Sequence, residues 1–234
     1  MPCAGLYVME THVEDYVPDL KIALRRIFAR VSLNRVIRDA ATRDLCNLSG
    51  DILDIGGGHL PRYWSSFDRE RCRVISADRM IQRSEDIEAD FEMPLPIPSK
   101  AYDSVVCFST LEHVYNTLQL LREIRRVKKS GANALFWIPF FMQPHGTREY
   151  SDYFRFIEAA LTRLFDDASY QTCKIHRVSS IFWVLGNLIS QPINNIKLLS
   201  PLVTASNALF LVLGYLSRNY MRGSWPIGYF VIAT

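Results

Sequence analysis

The spacing of apolar and polar residues changes character twice along this chain. Between residues 19 and 31, Leu20, Leu24, Ile27 and Val31 share one side of a 3.6-residue repeat, and Arg25, Arg26 and Arg30 share the other. That predicts an amphipathic helix with a basic outer face, followed by a second helix over 34–46. Such a face fits a membrane or a substrate cap, and equally the solvated side of an ordinary helix. From residue 50 the pattern becomes an alternation of strands and helices. Apolar runs at 51–55, 73–77, 102–108 and 132–138 predict strands, with a short one at 87–89. Helices are expected at 118–129, stopped by Ser130 and Gly131, and at 156–165. Two further strands are expected at 170–178 and 228–233. The alternation predicts an α/β fold with a doubly wound, mostly parallel, seven-stranded sheet. Ligands then bind beyond the carboxyl ends of the strands.

Residues 179–226 interrupt this rhythm. Lys197 is the one charge between Val178 and Ser217, and residues 198–217 are uncharged for about the length of a bilayer span. Ser, Thr, Asn and Pro interrupt that run, which also suits a buried helix. The segment reads as an apolar helical insertion before the last strand.

Composition adds an asymmetry. The chain has 234 residues, 49% of them hydrophobic, with a net charge of +3. These values exclude a disordered chain and a polytopic membrane protein. No acid follows Asp167, while Lys174, Arg177, Lys197, Arg218 and Arg222 do, so the positive charge belongs to the C-terminal third. Five scattered cysteines (Cys3, Cys46, Cys72, Cys107, Cys173) form no C-x-x-C pair, and no metal site is expected from the spacing. They favour a reducing cytosol, and the first sixteen residues lack a secretory apolar core.

The strongest motif is Ile52–Gly58, ILDIGGG: a buried strand delivers Asp54 and breaks into Gly56, Gly57 and Gly58. Glycines there permit positive φ and a close ligand approach. A dinucleotide fingerprint would need glycine at Pro61. An acid two residues before the glycines instead suits a ligand with a cationic amino group. Further on come Asp78 at the end of the second strand, and ADFEMPLPIPSKAYDSVVCFSTLEHV over 89–114.

With these motifs in this order the chain resembles the class I S-adenosylmethionine-dependent methyltransferases, specifically the type 11 group, over residues 45–178 with a final strand at 228–233. The resemblance implies one domain: an N-terminal helical cap (1–48), a cofactor-binding core (49–178), the apolar insertion (179–226) and a last strand (227–234) antiparallel to the sixth. It implies S-adenosylmethionine as cofactor. Asp54, Gly56, Gly57 and Gly58 would surround its methionyl part. Asp78, with Arg79 beside it, would take the ribose hydroxyls, and Asp90 and Phe91 the adenine. Ser109 and Leu111 would lie beneath it. Many members carry another glycine where this chain has Leu60.

A second segment, QPHGTREYSDYFRF at 143–156, resembles type 11 enzymes of envelope and glycan biosynthesis. It makes Tyr150, Asp152, Tyr153 and Arg155 candidates for acceptor binding. His113 and His145 are the candidate general bases by residue type. The expected function is methyl transfer to a small, glycan-like or lipid-linked acceptor in the cytoplasm, at the cytoplasmic membrane face. A catalytically inactive scaffold is the alternative, and no nucleic-acid partner is expected. For the insertion, peripheral membrane contact, a lid or buried core, and homodimerisation stay open.

Overall fold

The computed structural model describes residues 9–27, 31–58, 61–81, 83–148, 150–193, 197–218 and 224–234. Cys3, Arg30, Leu60 and Arg222, named above, lie outside the described residues. The strands are β1 (Glu10–Tyr16), β2 (Gly50–Ile55), β3 (Cys72–Asp78), β4 (Ile87–Glu88), β5 (Tyr102–Phe108), β6 (Lys128–Pro139), β7 (Thr172–Ser179) and β8 (Pro226–Ala233). The helices are α1 (Leu20–Ile27), α2 (Leu33–Leu45), α3 (Thr117–Val127), α4 (Glu158–Asp167), α5 (Ile181–Ile193) and α6 (Ser200–Ser217).

All eight strands form one sheet in the order β1-β7-β8-β6-β5-β2-β3-β4. Only β8 is antiparallel, set between β6 and β7. β2, β5 and β6 read as apolar runs because both faces of the central sheet are covered. α3 and α4 cover one face through Leu121, Ile124, Leu161 and Phe165. α1, α2, α5 and α6 cover the other through Ile27, Ile37, Trp183 and Leu211.

Among the described residues the sheet has eight strands where the sequence pattern predicts seven. The N-terminal segment, expected to be purely helical, also supplies β1 as an edge strand parallel to β7. Its sequence, ETHVEDY, has no apolar alternation and is largely exposed. Charge and backbone pairing hold it instead: Glu14 meets Lys174 at 3.0 Å and Asp15 meets Arg177 at 2.9 Å. Two cations of the acid-free C-terminal third are thus answered by acids near the start of the chain.

The insertion forms an antiparallel helical pair. Trp183 of α5 lies against Tyr215 of α6 and donates its indole N–H to Leu211 O at 3.1 Å. Asn187 accepts from the Asn34 N–H at 3.2 Å, and the Asn207 amide donates to Val31 O at 3.1 Å. These buried polar contacts fix the pair on α2 and the turn before it.

Candidate active site

β2 ends at the centre of the carboxyl edge, and the chain then turns sharply. Gly56 has φ +75° and Gly58 has φ +58°, which a side chain would strain. Gly57 is required for space, since a Cβ there would stand 2.3 Å from Asp54 Oδ2. Thr110 ties the turn to β5 by donating its hydroxyl to Ile55 O at 3.0 Å.

Asp54 has no exposed surface. The Tyr63 hydroxyl donates to it, 2.9 and 2.8 Å from its two oxygens, and the Trp64 indole N–H donates to Oδ2. Burial pushes the Asp54 carboxyl up to about 7, against the pull of those two donors. Arg38 lies over the Tyr63 ring and Arg83 over the Trp64 ring, each 4.8 Å from the centroid. The sequence reading missed this clamp. Tyr63 and Trp64 follow the glycine turn in a short 3-10 segment, Arg62–Ser66, without a periodic pattern.

Asp78 ends β3 and accepts the Gly58 N–H on Oδ2 at 3.0 Å. Arg79 donates to Asp90 Oδ1 at 2.8 Å, and this pairing holds the Asp90 carboxyl below its ordinary range. Phe91 and Leu111 are buried in the core beneath the loops. Ser109 takes φ +54° and donates its N–H to Trp137 O at 2.8 Å, turning the chain at the end of β5.

Next to this edge lies the second cluster. The imidazoles of His113 and His145, 32 residues apart in sequence, meet with their Nε2 atoms 3.1 Å apart. Asp152 accepts the His145 backbone N–H at 2.9 Å and forms a two-pronged ion pair with Arg155 at 2.5 and 2.6 Å. Although burial opposes it, the Arg155 guanidinium holds the Asp152 carboxyl down at about 2. Arg155 also donates to Phe154 O at 2.7 Å and Gln143 O at 3.2 Å, folding the 143–155 segment back over His113. Tyr150 packs edge-on to His113, 4.6 Å between ring centres, while Tyr153 lies half exposed against Tyr115. Glu112 is fully buried, and among the described residues no other offers its carboxylate a hydrogen bond. Burial pushes that carboxyl up to about 8 and pushes His113 below its ordinary value. An acid just before His113 reads in sequence as an ordinary helix-start residue, so its burial was not foreseen.

The family model of the type 11 methyltransferase domain matches residues 53–136, which hold the glycine turn, Asp78, Asp90 and His113. Residues 53–136 thus match a methyltransferase domain, and the chain around them has the fold of S-adenosylmethionine-dependent methyltransferases. Solved structures share its fold. A phosphoethanolamine N-methyltransferase 2 of Haemonchus contortus, in complex with S-adenosylmethionine, superposes with a TM-score of 0.56 at 16% identity. The match covers 91% of this chain and 56% of that longer one. A protein of Anabaena variabilis assigned as a methyltransferase from an antibiotic biosynthesis pathway gives 0.53 at 15%, covering 89% and 99% of the two chains. The [4+2]-cyclase SpnF gives 0.50 at 15%, over 86% and 79%. At these identities the likeness is one of fold. No curated protein matches the chain in sequence.

The matched methyltransferase domain and the S-adenosylmethionine bound by the Haemonchus enzyme of the same fold point to that cofactor, and the residues present fit it. A Cβ at Gly58 would meet no described atom within 4 Å. Asp78 is anchored there by the Gly58 N–H on Oδ2 at 3.0 Å, with the Met80 N–H 3.5 Å from Oδ1, and a carboxylate so held keeps lone pairs that would suit ribose hydroxyls. Asp54, buried behind the loop, would suit the ligand's cationic amino group, and Gly56 to Gly58 would offer it backbone.

Proposed function

We propose that this methyltransferase acts on a hydroxyl of a small, glycan-like acceptor carried on a lipid, while resting on the cytoplasmic face of a membrane. The outward side of α5 and α6 carries this reading. Leu202, Ala205, Leu209, Val212 and Leu216 follow one another every three or four residues along α6, and all are exposed. Leu185, Leu188 and Ile189 extend the surface onto α5. Neither helix has a charged residue. A surface helix in water turns polar residues outward. α6 is about 27 Å long, and its mean hydropathy of 1.3 suits a membrane. Its inner side, however, is packed against the protein, and the chain returns to β8 in the same sheet. An interfacial pose satisfies both facts. Trp225, exposed and 5.8 Å from the Phe141 ring, adds an aromatic of the interfacial kind beside the segment that carries His145. The exposed Arg218 suits anionic headgroups. Free Cys46, Cys72, Cys107 and Cys173 agree with a reducing compartment.

S-adenosylmethionine supplies a methyl group already activated on a sulfonium, so the chain's own work is binding, alignment and proton removal. Asp78 and the Gly56–Gly58 backbone hold the donor side. His113 and His145 stand at the same edge to accept a hydroxyl proton, with Tyr150 and Tyr153 beside them for the acceptor. Flotation with vesicles containing an anionic phospholipid tests the reading. The intact chain is expected to float and the triple variant L202E/L209E/L216E to stay behind. An intact chain that never floats would sink the proposal.

A further inference from the structure

The two imidazoles are oriented by their other nitrogens. His113 Nδ1 lies 2.8 Å from Ser151 O. His145 Nδ1 lies 3.1 Å from Gln143 O and 3.2 Å from Asp152 Oδ2. All three oxygens can only accept, so each Nδ1 carries a hydrogen. A neutral imidazole then has a bare lone pair on Nε2. Two such lone pairs point at one another across 3.1 Å, and a positive centre must lie between or beside them. The buried Glu112 carboxylate stands on the same spot, Oε1 3.9 Å from His113 Nε2, with no partner of its own.

We propose that Glu112, His113 and His145 bind one divalent transition-metal ion of the zinc class. Their ligating atoms all lie within 4.8 Å of one another. Two zinc–nitrogen bonds of about 2.05 Å spanning this gap enclose an angle of about 100°, near tetrahedral. Glu112 Oε1, 3.9 Å from His113 Nε2, must move closer to reach the same ion. Imidazole nitrogen and carboxylate oxygen together suit a borderline cation. The outer contacts have the pattern that orients metal-ligating histidines, each Nδ1–H donating to a carbonyl or carboxylate. A shared proton would satisfy the imidazoles and leave Glu112 unpaired; a metal ion satisfies all three.

Three protein ligands leave a coordination position open, here at the edge where an acceptor enters. An ion there would polarise the acceptor oxygen and fix its line of approach. The histidines then act through the ion rather than as free bases. The inference does not depend on the acceptor being lipid-linked, because its test needs neither acceptor nor membrane.

The full chain is stripped with a chelator and titrated with zinc chloride by calorimetry, with bound metal counted by elemental analysis. One zinc per chain is expected in the wild type. His145→Gln and Glu112→Gln are expected to bind at least 100-fold more weakly, and Asp152→Asn 10- to 100-fold more weakly. Zinc is expected to raise the melting temperature of the wild type and leave that of His145→Gln unmoved. No saturable zinc uptake by the wild type overturns the proposal and leaves a shared proton as the occupant. Equal uptake by wild type and both ligand variants also overturns it, since the zinc then sits elsewhere.

Discussion

Tyr63 points its hydroxyl at both oxygens of Asp54, 2.9 and 2.8 Å away, where Asp54 exposes no surface. The carboxyl is thereby placed behind the glycine turn and raised from an ordinary 3.8 to about 7 by burial. Between those values the folded chain holds a proton that the unfolded chain has released. Stability therefore falls as pH rises from about 4 to about 7, and this contribution is flat above that. Between pH 5 and 7.5 the loss is about 2–3 kcal/mol. Urea denaturation of the wild type and Asp54→Asn at both pH values checks this. The wild type is expected to lose more, and identical losses would contradict it.

Asp78→Ala removes the carboxylate that the Gly58 N–H anchors. Charge-assisted hydrogen bonds of this kind contribute about 1.5–3 kcal/mol each. Affinity for S-adenosylmethionine is expected to fall by roughly one to two orders of magnitude in calorimetry. Half-exposed Asp78 lies outside the core, so the melting temperature should change little.

Gly57→Ala places a methyl group 2.3 Å from Asp54 Oδ2. The carboxylate is held by Tyr63 and Trp64 and cannot step aside cheaply. A stability loss of about 1–3 kcal/mol is expected, together with weaker cofactor binding. Gly58→Ala is the control for space: its methyl group meets nothing, and only the positive φ resists it.

Gly214→Ala sets two effects against each other. Alanine in a helix interior gains about 1 kcal/mol over glycine. Here its Cβ would stand 2.0 Å from the Trp183 indole nitrogen and break that nitrogen's bond to Leu211 O. Overpacking and the lost bond outweigh propensity. Thermal unfolding should show a lower midpoint, and a higher one would mean that α5 and α6 are loosely joined.

Trp225→Ala removes a half-exposed ring that packs against Phe141. If that surface meets lipid, vesicle affinity should drop by about tenfold, as for a buried interfacial aromatic. The fold should stay intact, since the ring lies at the rim.

Sequence and structure agree best where packing alone decides the outcome. β5 matches its predicted range residue for residue, because YDSVVCF is buried on both sides of the sheet. β1 escaped notice because its partners are charges on β7, and no window of sequence contains both. His113 and His145 were legible as residue types. Their meeting was not, since it depends on Arg155 and Asp152 folding a loop back by 32 positions. Glu112 was least legible: the same letter serves a solvated helix start and a buried, unpartnered carboxylate.

The polar make-up of β1 also bears on the order of assembly. Asp15 and Arg177 are 162 residues apart, so β1 cannot dock until the sheet around β7 exists. Closing so long a loop is slow, though each further residue adds little to its entropic cost. A waiting strand with a bare backbone edge invites pairing with another molecule, and charged side chains are the usual defence. Glu10, Glu14 and Asp15 supply that defence during the wait, and Glu14 and Asp15 then become the contacts that select the register.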